Sequence, residues 1–154
     1  VVLGVGLALA PTGAWIALTD GYGAVPLVLS LAVLTWVAGF DVIYACQDAA
    51  FDAREGLRSI PAALGVRGAL AVSAGLHVVT VALLAALPAL TPLGWPYLVG
   101  WAVIAAVLVY EHAIVSADDL TRVNAAFFTL NGWVAILFLG FVVWGLWTVE
   151  GGAA

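Results

Sequence analysis

Residues 41–65 read DVIYACQDAAFDAREGLRSIPAALG, with four carboxylates and two arginines between positions 41 and 58. Charged residues make up only 8% of the 154-residue chain, so such a cluster decides how its surroundings are read. Hydrophobic residues account for 66% of the sequence, and the mean hydropathy is +1.20. Thirteen charged side chains cannot supply the polar surface of a soluble domain of this length. A charged break between long apolar runs therefore marks a place where chain leaves the bilayer.

Working outward, five apolar segments are long enough for helices that cross a membrane, which takes about 20 residues. They lie near residues 1–19, 24–46, 68–90, 94–117 and 124–149. DGYG at 20–23 and TPLGWP at 91–96 carry turn formers and read as short connections. No segment alternates polar and apolar residues as a membrane β-barrel does. The expected fold is all-α, a polytopic transmembrane helix bundle. Methionine is absent and VVLGVGLALA begins at once inside an apolar run, so the chain reads as a piece of a longer protein. No basic region precedes that run, which argues against a signal peptide. One cysteine, Cys46, excludes an internal disulfide, and a net charge of −5 offers no nucleic-acid surface.

The charges set a topology. Residues 41–67 hold seven of them and residues 111–122 four more, with two spans between these windows. Both windows thus emerge on one face, leaving only Asp20 and Glu150 on the other. Arg54, Arg58, Arg67 and Arg122, the only basic residues apart from the two histidines, all lie on the crowded face. The positive-inside rule places that face in the cytoplasm.

Within the opening stretch, Asp41, Tyr44, Asp48 and Asp52 follow helical spacing and share one face. Asp41 lies inside the apolar run, where a carboxylate is costly unless it meets a wet cavity or a cation. Stacked carboxylates repel one another unless positive charge sits among them. Magnesium suits this pattern: it takes hard oxygen ligands and is commonly held by one or two carboxylates plus substrate phosphates. Asp48 and Asp52, at i and i+4, are the candidate metal ligands. Arg54 and Arg58 come next in the chain, and Gly56, Ser59 and Pro61 break the helix. Arginines beside metal-bound phosphate fit neutralisation of a departing diphosphate. The competing reading is a solvated interfacial loop, which does not explain an acidic face reaching back to Asp41.

The pattern DxxYAxQDxxFDxxxGLxSIPxxxG at 41–65 resembles the second aspartate-rich motif of the UbiA superfamily of intramembrane aromatic prenyltransferases. EHAIVSADDLTRVNAAFFTLNGW at 111–133 and LALAPTGAWIALT at 7–19 are similar to its 4-hydroxybenzoate polyprenyltransferase-like branch. The details lie nearest the subgroup associated with menaquinone made by the futalosine route. This resemblance implies a nine-helix fold, of which these five spans form the carboxyl-terminal half. It implies Mg2+ and polyprenyl diphosphate bound through Asp48 and Asp52, with Tyr44 and Asp41 on the cavity face. Arg54 and Arg58 match positions that are often basic and suit contact with the diphosphate. The reaction implied is transfer of the prenyl group to an aromatic acid acceptor in quinone biosynthesis, at the inner (plasma) membrane. The first aspartate-rich motif, N-D-x-x-D, has no counterpart here, so this stretch alone is expected to be inactive.

Other polar residues read as structural. His77, mid-span, is expected to hydrogen-bond a neighbouring helix; Glu111 and His112 either line the cavity mouth or mark the interface. Asp118, Asp119 and Arg122 suit a cap before the last helix, and Asn124 and Asn131 suit bonds between helices. Trp95 and Trp147 suit interfacial anchoring. The alternative class is a transporter or ion-conducting subunit whose acidic residues form a cation pathway. Within the family, another acceptor (haem, chlorophyll or lipid) is the alternative. Prenyl chain length and oligomeric state leave no signal in the sequence.

Overall fold

A computed structural model describes residues 2–151, apart from the side chains of residues 2, 3, 125 and 150. The expected start of the first span at Val1, and the side chain of Glu150, lie outside the described residues. The described chain is helical, with no strands among those residues. The helices are α1 (Val2–Thr19), α2 (Ala24–Ala45), α3 (Ala49–Glu55), α4 (Ile60–Ala86), α5 (Trp95–Ile114) and α6 (Asn131–Gly151). By length and composition, Ala24–Glu55, Ile60–Ala89, Trp95–Ile114 and Ala126–Val149 can each cross a membrane. Gly4–Thr19 is a shorter apolar helix.

Helix α2 packs against α1 on one side and α4 on the other, while α5 packs against α6. The largest apolar core joins Ala32, Leu84, Leu87, Tyr97, Ile104, Leu108 and Val134, drawn from α2, α4, α5 and α6 and the turn after α4. Where lipid is as apolar as the core, burial alone does not drive helices together, and polar contacts add definition. Ser73 Oγ donates to the Gly39 carbonyl at 2.7 Å, and the Thr35 and Thr80 hydroxyls lie 2.8 Å apart, so α2 is joined to α4 twice. Tyr97 Oη donates to the Leu84 carbonyl at 2.6 Å, and Trp101 Nε1 to that of Val81 at 2.9 Å, joining α5 to α4.

The charged stretch is more helical than its hydropathy suggests. Cys46–Asp48 form a single 3₁₀ turn, and α3 continues from Ala49 to Glu55. Gly56 then takes the left-handed conformation (φ +66°), which glycine adopts without a Cβ clash, and Leu57 N–H donates to the Asp52 carbonyl at 2.8 Å. The break falls where the sequence places it. Helix α4 starts at Ile60, before the apolar run proper, because Ser59 caps it: the hydroxyl accepts from Ala62 N–H at 3.2 Å, and Pro61 sits in the first turn. Gly65 (φ +69°) then bends α4 near its start. Replacing Ser59 with alanine should cost about 1 kcal/mol, read as a lowered thermal unfolding midpoint that Ser59→Asp restores.

On the loop before α6, Asp119 Oδ1 accepts from the Thr121 N–H at 2.9 Å and its hydroxyl at 2.6 Å. These bonds hold the Asp119 carboxyl below the usual carboxylate range. Asp119 thus closes a turn ahead of the helical region instead of capping the helix itself. Asp118 pairs at the surface with Arg67 at 3.4 Å, a contact worth little in exposed positions.

Candidate functional site

The residues singled out in the sequence gather at one end of α2 but do not form a single straight row. A 3₁₀ turn winds about 120° per residue where an α-helix winds about 100°. The turn at Cys46–Asp48 therefore rotates α3 relative to α2, and Asp52 leaves the line that an unbroken helix would draw from Asp41. Asp48 ends this turn, exposed, and Asp52 lies half-buried one turn further on. Neither side chain is tied down by a salt bridge or capping bond among the described residues.

Asp41 faces a different group. With Val42, Ala45, Arg58, Ser59, Ile60 and Pro61 it lines a cleft of about 210 Å³ between α2 and the start of α4. The Gly56 turn reverses the chain, and this reversal brings Arg58 into the same cleft as Asp41. Arg54 sits on the exposed face of α3, where its Nε donates to the Ala50 carbonyl at 3.2 Å. Tyr44 joins an aromatic group: its ring lies 4.4 Å from Phe127 and 6.3 Å from Phe128, and Phe127 meets Phe40 edge-on at 5.2 Å. Phe127 and Phe128 belong to Ala125–Leu130, a π-helical turn at the head of α6. Gln47 Nε2 also reaches the Asn124 side-chain oxygen at 3.4 Å. The structure thus brings Asp41 together with Arg58, and Tyr44 together with Phe127 and Phe128.

The donor chemistry of Asp48 and Asp52 fits magnesium: two hard, accessible carboxylates one turn apart. No group of three or more histidine, cysteine, aspartate or glutamate residues forms a closed metal cage among the described residues. An open pair is the form magnesium takes where substrate phosphates and water complete its shell.

Behind the aromatic group lies a polar network that spacing alone did not reveal. Glu111 is fully buried (0% exposed), neither at a cavity mouth nor at the interface. Its Oε1 accepts from Asn131 Nδ2 at 3.2 Å. Its Oε2 has no hydrogen-bond partner among the described residues and lies 3.7 Å from His77 Nδ1. His77 Nε2 lies 3.3 Å from the Trp36 carbonyl, which can only accept. His77 Nδ1 and His112 Nε2 lie 3.0 Å apart, joined by one hydrogen bond between the rings. His77 bonds to neighbouring helices as expected, and Gly39 makes room for it: a Cβ there would run into the imidazole Cδ2 and Nε2. The pairs are 20 and 35 residues apart, so only a hint such as two histidines and a glutamate in apolar runs could have suggested them.

The profile described as the UbiA prenyltransferase family matches residues 1–133. The chain is 31% identical over 144 residues to a 4-hydroxybenzoate octaprenyltransferase of Hahella chejuensis, covering 93% of this chain and 47% of that protein. It is 30% identical over 142 residues to the enzyme of the same name from Cupriavidus necator, covering 92% of this chain and 49% of that one. The chain thus spans about half the length of these curated relatives. Among solved structures, the apo structure of a UbiA homolog from Aeropyrum pernix K1 superposes with a TM-score of 0.75 at 37% identity. That match covers 92% of this chain and 53% of the other.

Proposed function

This chain belongs to the UbiA prenyltransferase family, and we propose that the full-length protein transfers a polyprenyl group from polyprenyl diphosphate to a 4-hydroxybenzoate-like aromatic acid. The observation that carries this reading is the end of α2 and its continuation. Asp48 and Asp52 stand there with accessible carboxylates, and Arg58 returns beside Asp41 in one cleft. The names of the relatives support the choice of acceptor class.

Asp48 and Asp52 would hold Mg2+, which when bound would offset charge on the diphosphate as it leaves. Arg58, with Arg54 further out on α3, supplies fixed positive charge for the same anion and orients it towards the aspartates. The carbon–oxygen bond breaks with its electron pair on the diphosphate, leaving an allylic cation. The rings of Tyr44, Phe127 and Phe128 present π-faces suited to that cation and to the unsaturated chain. The acceptor's ring carbon then takes the cation and loses its proton. An acidic site at the end of a membrane helix lets a lipid tail stay in the bilayer while its charged head meets aqueous magnesium. The arginine distribution supports a cytoplasmic position for that end, with the protein in the inner (plasma) membrane as the family resemblance implies. Since the chain spans about half of its relatives, we expect it to be inactive without the remainder of the protein.

The test supplies the full-length protein, in membranes, with a polyprenyl diphosphate and 4-hydroxybenzoate. Prenylated acid should form with magnesium and stop when a chelator removes it. Solute uptake into vesicles with no transfer product would overturn the reading.

A further inference from the structure

The π-helical turn at Ala125–Leu130 is secured in an unusual way. Such turns interrupt the regular helical bonding pattern and recur at functional sites. Here the side-chain amide of Asn131, only 7% exposed, takes up two carbonyls of the turn: Nδ2 lies 3.1 Å from Ala126 O and 3.2 Å from Phe127 O. Trp36 Nε1 donates to Asn131 Oδ1 at 2.8 Å. An indole N–H can only donate, so this bond fixes which end of the amide is oxygen and turns Nδ2 toward the carbonyls. Glu111 Oε1 holds the same Nδ2 from the other side at 3.2 Å. One amide therefore joins α2, α5 and the turn. The turn's rings are the ones that meet Tyr44, four residues before Asp48.

We propose that Asn131, oriented by Trp36 and Glu111, is a positioning residue that holds Phe127 and Phe128 against Tyr44 and so keeps water from the allylic cation. The proposal rests on the prenyl-transfer reading given above. Once the diphosphate has left, the cation has two fates. The acceptor ring can form a carbon–carbon bond to it and release a ring proton, giving the prenylated acid. Water can instead form a carbon–oxygen bond and release a proton to solvent, giving the prenyl alcohol. An aromatic wall held in place favours the first fate, and a wall that has lost its anchor admits the second. A merely structural asparagine would change how much protein folds, not how each ionised donor is partitioned.

The experiment uses full-length protein in lipid nanodiscs with a radiolabelled polyprenyl diphosphate, magnesium and 4-hydroxybenzoate. Diphosphate, prenylated acid and prenyl alcohol are counted separately. In Asn131→Ala the transfer rate should fall by up to about 10²-fold, the size expected for lost positioning. The alcohol share should rise several-fold, with the donor's KM within about twofold of wild type because the diphosphate contacts lie elsewhere. Glu111→Gln keeps an oxygen for the Asn131 amide and should preserve the wild-type partition, whereas Glu111→Ala should shift it. Phe128→Leu removes one ring from a largely exposed position and should raise the alcohol share even where Asn131→Ala folds poorly. A wild-type partition in folded Asn131→Ala, or in Phe128→Leu, overturns the positioning role while leaving the prenyltransferase intact. Wild-type protein that releases no diphosphate and forms no product overturns both.

Discussion

Asparagine in place of Asp48 in the full-length protein is expected to lower prenyl transfer by about 10²–10³-fold, the range seen when one electrostatic contact to a developing charge is lost. The change is nearly isosteric, and Asp48 is exposed at the end of the 3₁₀ turn, so no packing is lost with the charge. An amide oxygen is a poorer partner for a divalent cation than a carboxylate. The thermal unfolding midpoint in detergent should therefore stay at the wild-type value while turnover collapses. Asp52→Asn should behave alike. Turnover near wild type in either variant would remove that residue from the site, and a collapse of the unfolding midpoint would make its role structural.

Gly39→Ala should destabilise the protein by about 1–3 kcal/mol, the usual cost of overpacking a close contact. The added Cβ would overlap the His77 ring, which would have to move away from α2. If the ring turns aside, it leaves the Trp36 carbonyl and the His112 ring, both part-buried bond partners. Gly75→Ala, in α4, is the matched control, because a Cβ there meets nothing within 4 Å. On helix propensity alone the control should be neutral or gain up to about 1 kcal/mol. Opposite signs from the same chemical change, read as unfolding midpoints, would locate the effect at the His77 contact. Equal shifts would show that the α2–α4 contact at Gly39 has room for a methyl group.

The all-helical membrane fold was legible because twenty-residue apolar runs have few other uses. Helix ends were less so. Hydropathy registers where lipid begins and ends, whereas hydrogen bonding decides where a helix does. For this reason α2 passes its apolar limit through the Cys46–Asp48 turn into α3, and α4 begins at the Ser59 cap, ahead of the expected position 68. The site's residue types were legible as carboxylates and arginines crowded where charge is scarce. Their division was not: bringing Arg58 into one cleft with Asp41 depends on the reversal at Gly56, and pairing Tyr44 with Phe127 depends on a π-helical turn more than 80 positions away. Glu111 shows the limit most clearly. Near the end of an apolar run, a carboxylate reads as lining a cavity mouth or marking the interface, and only its bond to Asn131 on another helix reveals that it is buried.

Binding tests the proposed metal–diphosphate site apart from catalysis. Full-length protein in nanodiscs is titrated calorimetrically with a thiolo-diphosphate analogue of the prenyl donor that cannot ionise, with and without magnesium, beside Asp48→Asn. Binding should require magnesium and weaken about a hundredfold in the variant, as loss of a charged partner to a buried or metal-bridged anion predicts. Binding that is equally tight without magnesium, or unchanged by Asp48→Asn, would contradict the assignment of residues 41–65 as the site that holds the donor.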